Sequence, residues 1–308
     1  MTLRHSLTAI ALLFSAPSVA QTAAPAPAPA PAPAAAATPI PADPALWVVK
    51  DADTTIYLFG TIHVLKPGVQ WFDEAVKTAF DASQQLVLEM VAPEPAVMQA
   101  LVMKLGVSPT GPTLTERLPA KDRPAFTKAV TDMGIPAGAF DRYQPWLAAT
   151  NLTLLPILKM GYDPTNGPET VLTAAAKSAG KTVTGLETAE QQLGYFASLP
   201  PKVQVKFLTS TVRDLPQVEP KLNEMVSNWT QGEPKALADS MNADMKDSPE
   251  VAKVLLLDRN KRWADWIRNR LDQPGTVFVA VGAGHLAGKG SVIEELNKRR
   301  VPSARIAY

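Results

Sequence analysis

The chain has 308 residues, of which 46% are hydrophobic and 19% charged, the make-up of a globular protein able to bury a substantial core in one main domain. Lys and Arg number 30 against 29 for Asp and Glu, so no global field favours nucleic acid, and no basic patch stands out. The absence of cysteine excludes disulfides, thiolate nucleophiles, thiolate-held metals and a lipobox; any metal must use nitrogen and oxygen ligands.

In chain order, residues 1–20 carry Arg4 and His5, an apolar run over 7–14 and then Ser18-Val19-Ala20, the layout of a signal peptide with a small-x-small cleavage site. A retained anchor is the alternative, but the apolar run is short for a membrane span and no stop-transfer pattern follows. Residues 21–44 are dominated by Ala and Pro, a composition that favours extended conformations and reads as a spacer. The expectation is therefore an exported envelope protein, periplasmic or secreted. Its mature chain has no stable transmembrane segment, and its folded domain covers residues 45–308.

Residues 47–50 and 54–59 are two β-rich runs around Asp51-Ala52-Asp53 and read as a hairpin. The second leads through Gly60 to His63 in the stretch TTIYLFGTIH. Helical spacing follows over 72–82, then the strand pattern QLVLEM over 85–90, making a β-α-β unit that ends in Glu89. From 93 to 214 helical patterns dominate, with main segments at 94–105, 121–133 and 145–160 separated by Pro109, Pro112, Pro119 and Pro136. Within them Arg142-Tyr143-Gln144-Pro145-Trp146 either lines a pocket or caps the next helix.

A helix over 167–179 stops at Gly180, and a short strand over 181–186 delivers Glu187, which sits either at the strand end or in the first turn of the next helix. Further helices run from 200 to 245, with a turn at 229–232. The longest helix is expected over 251–271. There Leu255, Arg259 and Trp263 recur every four residues, stacking Arg259 between apolar neighbours with Asn260 beside it. A buried Arg requires a carboxylate or a ligand; the alternative is a side chain snorkelling at the rim. The stretch TVFVAVGAGH then ends in His285, followed by a Gly-rich turn, a helix over 291–300 and a strand over 304–307.

Two apolar strands therefore end in Gly-x-x-His, with Gly60 matching Gly282 and His63 matching His285. The chain has three histidines in all, and the third is His5. A strand apolar on both faces belongs inside a sheet, and ligands bind beyond the carboxyl ends of parallel strands. His63, Glu89, Glu187 and His285 all fall at such ends. Two imidazoles with one or two carboxylates can hold Mn, Co, Fe or Zn and leave a position for water. The same groups can also act without metal as an acid/base set. The fold expected is α/β (α+β): a central mixed sheet built from two related β-α-β halves, with a large helical insertion between them.

The segments LFGTIHVLKPG, LVLEM, GLETAEQQL, LLLDRNKRWADWI and VAVGAGHLAGKGSVIEEL resemble the TraB/GumN family, which is related to the Tiki metalloproteases and more distantly to erythromycin esterase-like and ChaN-like proteins. The resemblance implies two related halves whose GxxH motifs meet at one site, and metal-dependent peptide cleavage with His63, Glu89 and His285 as metal ligands. Glu187 would be a further ligand or the general base, and Arg259 and Asn260 also match family positions. The function expected is an exported metal-dependent hydrolase acting on a peptide or small-molecule substrate, with no nucleic-acid partner. Its alternatives are a non-catalytic envelope protein capturing a peptide, haem or metal ion, and a metal-free esterase-like hydrolase.

Overall fold

The structure, a computed structural model, describes residues 39–245 and 248–308. The leader expected over 1–20 and most of the Ala/Pro tract expected over 21–44 lie outside the described residues. In chain order the strands are β1 (Ile40–Pro41), β2 (Leu46–Lys50), β3 (Thr54–Thr61), β4 (Val69–Gln70), β5 (Gln85–Met90), β6 (Thr182–Glu187), β7 (Gly275–Gly282) and β8 (Ala304–Arg305). The helices are α1 (Glu74–Ala82), α2 (Pro95–Gly106), α3 (Leu114–Arg117), α4 (Arg123–Asp132), α5 (Pro145–Lys159), α6 (Pro168–Ser178), α7 (Ala189–Ala197), α8 (Pro201–Asp214), α9 (Val218–Thr230), α10 (Pro234–Met245), α11 (Pro249–Ala252), α12 (Asp258–Arg270) and α13 (Val292–Lys298). Among the described residues no helix is long and apolar enough to cross a membrane.

Six strands form one mixed sheet in the order β6-β5-β7-β3-β2-β8. β6, β5, β7 and β3 are mutually parallel, while β2 is antiparallel to β3 and to β8. The β2–β3 hairpin turns where Asp51 Oδ1 accepts the backbone N–H groups of Asp53 and Thr54, at 3.2 and 2.9 Å. β3 connects through α1 to β5 with β7 lodged between them, and β7 connects through α13 to β8 with β3 and β2 between. Both halves are thus β-α-β crossovers within one sheet, and they interleave at its centre.

The apolar runs of β3 and β7 are explained by cover on both faces. One face carries Phe59, Leu86, Leu88, Phe278 and Ala280 against Val76, Ala79 and Phe80 of α1 and Leu172 and Ala176 of α6. The other carries Ile56, Leu58, Val87, Val277 and Val279 against Trp263, Ala264 and Ile267 of α12 and Leu296 of α13. Alternate residues of each strand go to opposite layers, and each fully buried large side chain is worth about 1.5–3 kcal/mol. A separate core in the helical region joins Phe126 of α4, Trp146 of α5, Phe196 of α7 and Phe207 and Leu208 of α8, with the Trp146 and Phe196 rings stacked at 5.7 Å.

Three local differences from expectation, and one alternative left open by the sequence, have physical causes. Ile40–Pro41, within the stretch read as spacer, pairs with Val69–Gln70 and is followed by buried Ala42, because Ile40 donates its N–H to Gly68 O at 2.9 Å. Gln144 is the N-cap residue of α5, as the capping alternative has it, but without a side-chain cap bond; its Oε1 instead accepts Arg117 Nη1 at 3.0 Å. Trp229, expected in a turn, lies in the last turn of α9, buried beside Phe59 and Trp71, and donates its indole N–H to Gly60 O at 2.7 Å. The long helix expected over 251–271 starts at Pro249 and widens into a π turn at Lys253–Leu257, one turn before Arg259.

Candidate active site

The carboxyl ends of four adjacent parallel strands meet at one edge of the sheet. Glu89 is the penultimate residue of β5, and Glu187 is the last residue of β6. Of the two positions open to Glu187 from sequence, the strand end is the one adopted: Thr188 follows as N-cap of α7 and forms a capping box with Gln191. His63 lies two residues beyond β3. His285 closes a short 3-10 turn after β7, which pairs in parallel register with β3, Thr61 opposite Gly282.

Arg259 stands between the two carboxylates and is 1% exposed. Its Nη2 donates to Glu89 Oε2 at 2.6 Å and to Glu187 Oε2 at 2.7 Å, while Nε lies 3.0 Å from both Glu187 oxygens. Nη1 donates to Leu255 O at 3.2 Å and also lies 3.2 Å from His285 Nε2. The guanidinium packs on Trp263 at 4.6 Å, so the four-residue spacing produces the stacking expected of it. Gln192 Nε2 bridges Glu89 and Glu187 at 3.2 Å each; Tyr195 Oη and Trp263 Nε1 donate to Glu187 Oε1 at 3.0 and 3.2 Å. Glu187 therefore accepts from four side chains, and Glu89 Oε1 keeps one further donor, the Gly282 N–H at 2.7 Å.

Hydrogen bonding defines the state of His285. Asn260 Nδ2 donates to Gly290 O at 2.7 Å, which turns its Oδ1 towards His285 Nδ1, 2.5 Å away. Nδ1 is thus the protonated nitrogen of a neutral ring, and Nε2 is the acceptor facing Arg259 and, at 3.8 Å, Glu89 Oε1. Burial pushes the His285 pKa down to about 3, with Arg259 adding to the effect and Glu89 opposing it. For Glu89 burial acts upward but is outweighed by Arg259 and the two histidines, leaving it at about 2.

His63 has a different environment. Its Nδ1 is 2.7 Å from Glu169 Oε1, an oxygen that also accepts the Thr61 hydroxyl at 2.5 Å. Burial would lower the His63 pKa, but the charge and hydrogen bond of Glu169 outweigh it and raise the value above that of free histidine. His63 and Glu169 are 12% and 25% exposed, against 3% for His285, although the Nε2 of His63 is itself buried.

The residues converge over Gly282. A Cβ placed there would stand 3.0 Å from Glu89 Oε1, 3.6 Å from the His285 ring and 3.9 Å from His63 Nε2. Glycine keeps this floor open. Around it stand one imidazole nitrogen, a carboxylate oxygen and the carbon edge of the second imidazole; two imidazoles and a carboxylate are residue types that bind divalent metals. Among the described residues, however, no three His, Asp or Glu side chains are gathered at metal-holding distance.

The structure thus brings together all six residues singled out from sequence: His63, Glu89, Glu187 and His285, with Arg259 and Asn260 binding to them. Sequence reasoning missed Glu169, Gln192 and Tyr195. Gln192 had a readable signal, since a polar residue on the apolar face of α7 with Ala189, Leu193 and Phe196 demands a partner. Glu169 had none, because an acidic residue in a first helical turn is ordinarily explained by the helix dipole.

The model of the TraB/PrgY/gumN family matches residues 45–301. The chain is similar to "Uncharacterized protein YbaP" of Escherichia coli (strain K12), 29% identical over 188 residues that cover 61% of this chain and 69% of that protein. It is also similar to an "Uncharacterized protein" of Treponema pallidum (strain Nichols), 21% identical over 273 residues covering 83% and 80% of the two chains. No solved structure gives a significant match. With the match running across nearly all of the folded region, the chain belongs to the TraB/PrgY/gumN family.

Proposed function

We propose that the protein is an exported hydrolase that cleaves amide bonds of peptides with the aid of a divalent metal held by His63, Glu89 and His285. The observation that carries the reading is the convergence of His63 Nε2, Glu89 Oε1 and the His285 ring over the open face of Gly282. Each imidazole is held through Nδ1 by a side-chain oxygen, of Glu169 or of Asn260, which is how metal-bound histidines are commonly oriented. The resemblance to Tiki metalloproteases supports a peptide as substrate, and the leader-like composition of residues 1–20 supports export.

A bound divalent ion supplies Lewis-acid polarisation of the scissile carbonyl and acidifies water. The chain's own groups do the rest. Arg259 keeps Glu89 ionised and aligned, and its buried positive charge lies beside the region where an oxyanion develops. Glu187, saturated by donors, serves in this reading as the anchor of Arg259 rather than as the ligand or base open to it from sequence alone. Trp263, buried against the guanidinium, shields it from water, and substrate enters past the partly exposed Glu169.

A second reading is favoured by one contact: Arg259 Nη1 lies 3.2 Å from His285 Nε2, occupying the nitrogen a metal would take. In that reading hydrolysis is metal-free and His63, the more basic imidazole, moves the proton. Elemental analysis after reloading with Mn, Co or Zn, on wild type beside His63→Ala/His285→Ala, separates the two when joined to a mass-spectrometric peptide-cleavage screen. Near-stoichiometric metal in wild type alone, with cleavage abolished by chelation, supports the metal reading. Cleavage that survives exhaustive chelation supports the metal-free one, and no cleavage of any peptide by either form sinks the assignment as a peptidase.

A further inference from the structure

We propose that Glu169 is a positioning residue for His63, gripping the imidazole through Nδ1 so that Nε2 is presented to the crevice shared with Glu89 and His285. The inference rests on the reading of that crevice as the reaction site, but it concerns only side chains of this protein. His63 lies beyond the end of β3, where no strand ladder fixes it. Three separate contacts fasten its segment to the start of α6. Leu65 and Asp163 exchange backbone hydrogen bonds, at 3.4 and 3.0 Å. Gly167 comes so close that a Cβ there would stand well inside van der Waals contact of the His63 carbonyl oxygen. Glu169, in the first turn of α6, then reaches Nδ1 of the ring.

The carboxylate is itself held. Thr61, the last residue of β3, donates its hydroxyl to the same Glu169 oxygen that meets His63, so the strand that carries the histidine also braces its partner. The arrangement parallels that of His285, whose Nδ1 is held by the amide of Asn260, braced in turn by Gly290 O. The two grips differ in strength for a physical reason. His285 is sealed from water and a neutral amide suffices, whereas the His63–Glu169 pair is partly exposed, and a charge-assisted bond to a carboxylate competes better with solvent.

The test uses the full chain, stripped of metal, with isotope-labelled histidine; its three imidazoles are resolved by nitrogen NMR and His63 is assigned with His63→Ala. Wild type is expected to show a protected Nδ1–H at His63. Glu169→Ala loses it, Glu169→Gln retains it because the amide oxygen accepts as Asn260 does, and Thr61→Val weakens it; His285 signals stay unchanged throughout, which reports an intact fold. A metal titration of the same variants is expected to show affinity weakened about 10–100-fold in Glu169→Ala and largely restored in Glu169→Gln. Identical His63 signals in wild type and Glu169→Ala, or metal held equally well by both, overturn the positioning role while leaving the metal reading intact. The expected NMR pattern in a wild type that holds no metal upholds the positioning role and overturns the metal reading instead.

Discussion

Arg259 is a buried cation facing two buried carboxylates, and its removal leaves both without their main counter-charge. Breaking such a pair from one side typically costs about 3–5 kcal/mol. Arg259→Met is therefore expected to lower stability by that order in chemical denaturation, and adding Glu89→Gln and Glu187→Gln to recover part of it, since the charges left behind are then gone. The crevice also sets a pH dependence. His285 has a pKa of about 3 in the folded chain against 6.5 as a free group, so as pH falls below 6.5 the unfolded chain binds a proton that the folded chain refuses. Glu89 acts in the same sense lower down, between 4.5 and about 2. His63, with its pKa raised, works oppositely: its contribution is whole below 6.5 and is lost as pH rises through the folded value. Metal-free His285→Gln is expected to lose stability less steeply than wild type on acidification from 6.5 to 4.5, where the histidine contributes a slope of up to about 1.4 kcal/mol per pH unit; urea midpoints across that range measure it. The sequence was most legible where polar residues fall at the ends of apolar strands, at His63, Glu89, Glu187 and His285. It was silent on Glu169, whose partner is 106 residues away in sequence and is reached only through the packing of α6.

Elements were legible where period and punctuation agreed. The β2–β3 hairpin, α1, β5, α6 and β6 all fall within two residues of their expected bounds, since Gly, Pro and Asp mark their ends and two-sided burial makes the strands apolar. The π turn at Lys253–Leu257 was not marked by Gly, Pro or Asp and was read as continuous helix; its carbonyl at Leu255 takes Arg259 Nη1. Trp229 misled for a related reason: the Thr-Gln-Gly after it reads as a turn, while the ring's burial depends on Phe59 and Trp71, far off in sequence. Gly167 has an ordinary negative φ of -65°, so a methyl group there is opposed by the His63 carbonyl rather than by backbone strain. Gly167→Ala is expected to push α6 off the segment, at a cost of about 1–3 kcal/mol in denaturation, and to weaken protection of the His63 Nδ1–H. A variant as stable as wild type would show that the contact relaxes without consequence.

The molecule joins two kinds of core, a sheet packed between helices and a helical region drawn from the chain on either side of β6, between β5 and β7. The run from α11 through the π turn to α12 belongs to both. Val251 and Leu255 sit in the helical core, while Trp263, Ala264 and Ile267 sit against the sheet, and Arg259 between them clamps the ends of β5 and β6. The catalytic reading thus places the crevice at a mechanical junction, where its geometry depends on both cores staying docked. Leu255, fully buried, is the side chain whose loss weakens one end of that strut without touching the sheet. Leu255→Ala is expected to cost about 2–5 kcal/mol. The cost should also fall unevenly: native-state hydrogen exchange should show α5 amides opening at a lower free energy than β7 amides in the variant, while in wild type both exchange through one global opening. Equal loss in α5 and β7 would mean that the two cores are coupled by more than this helix. Separate openings already in wild type would mean that the strut does not couple them at all.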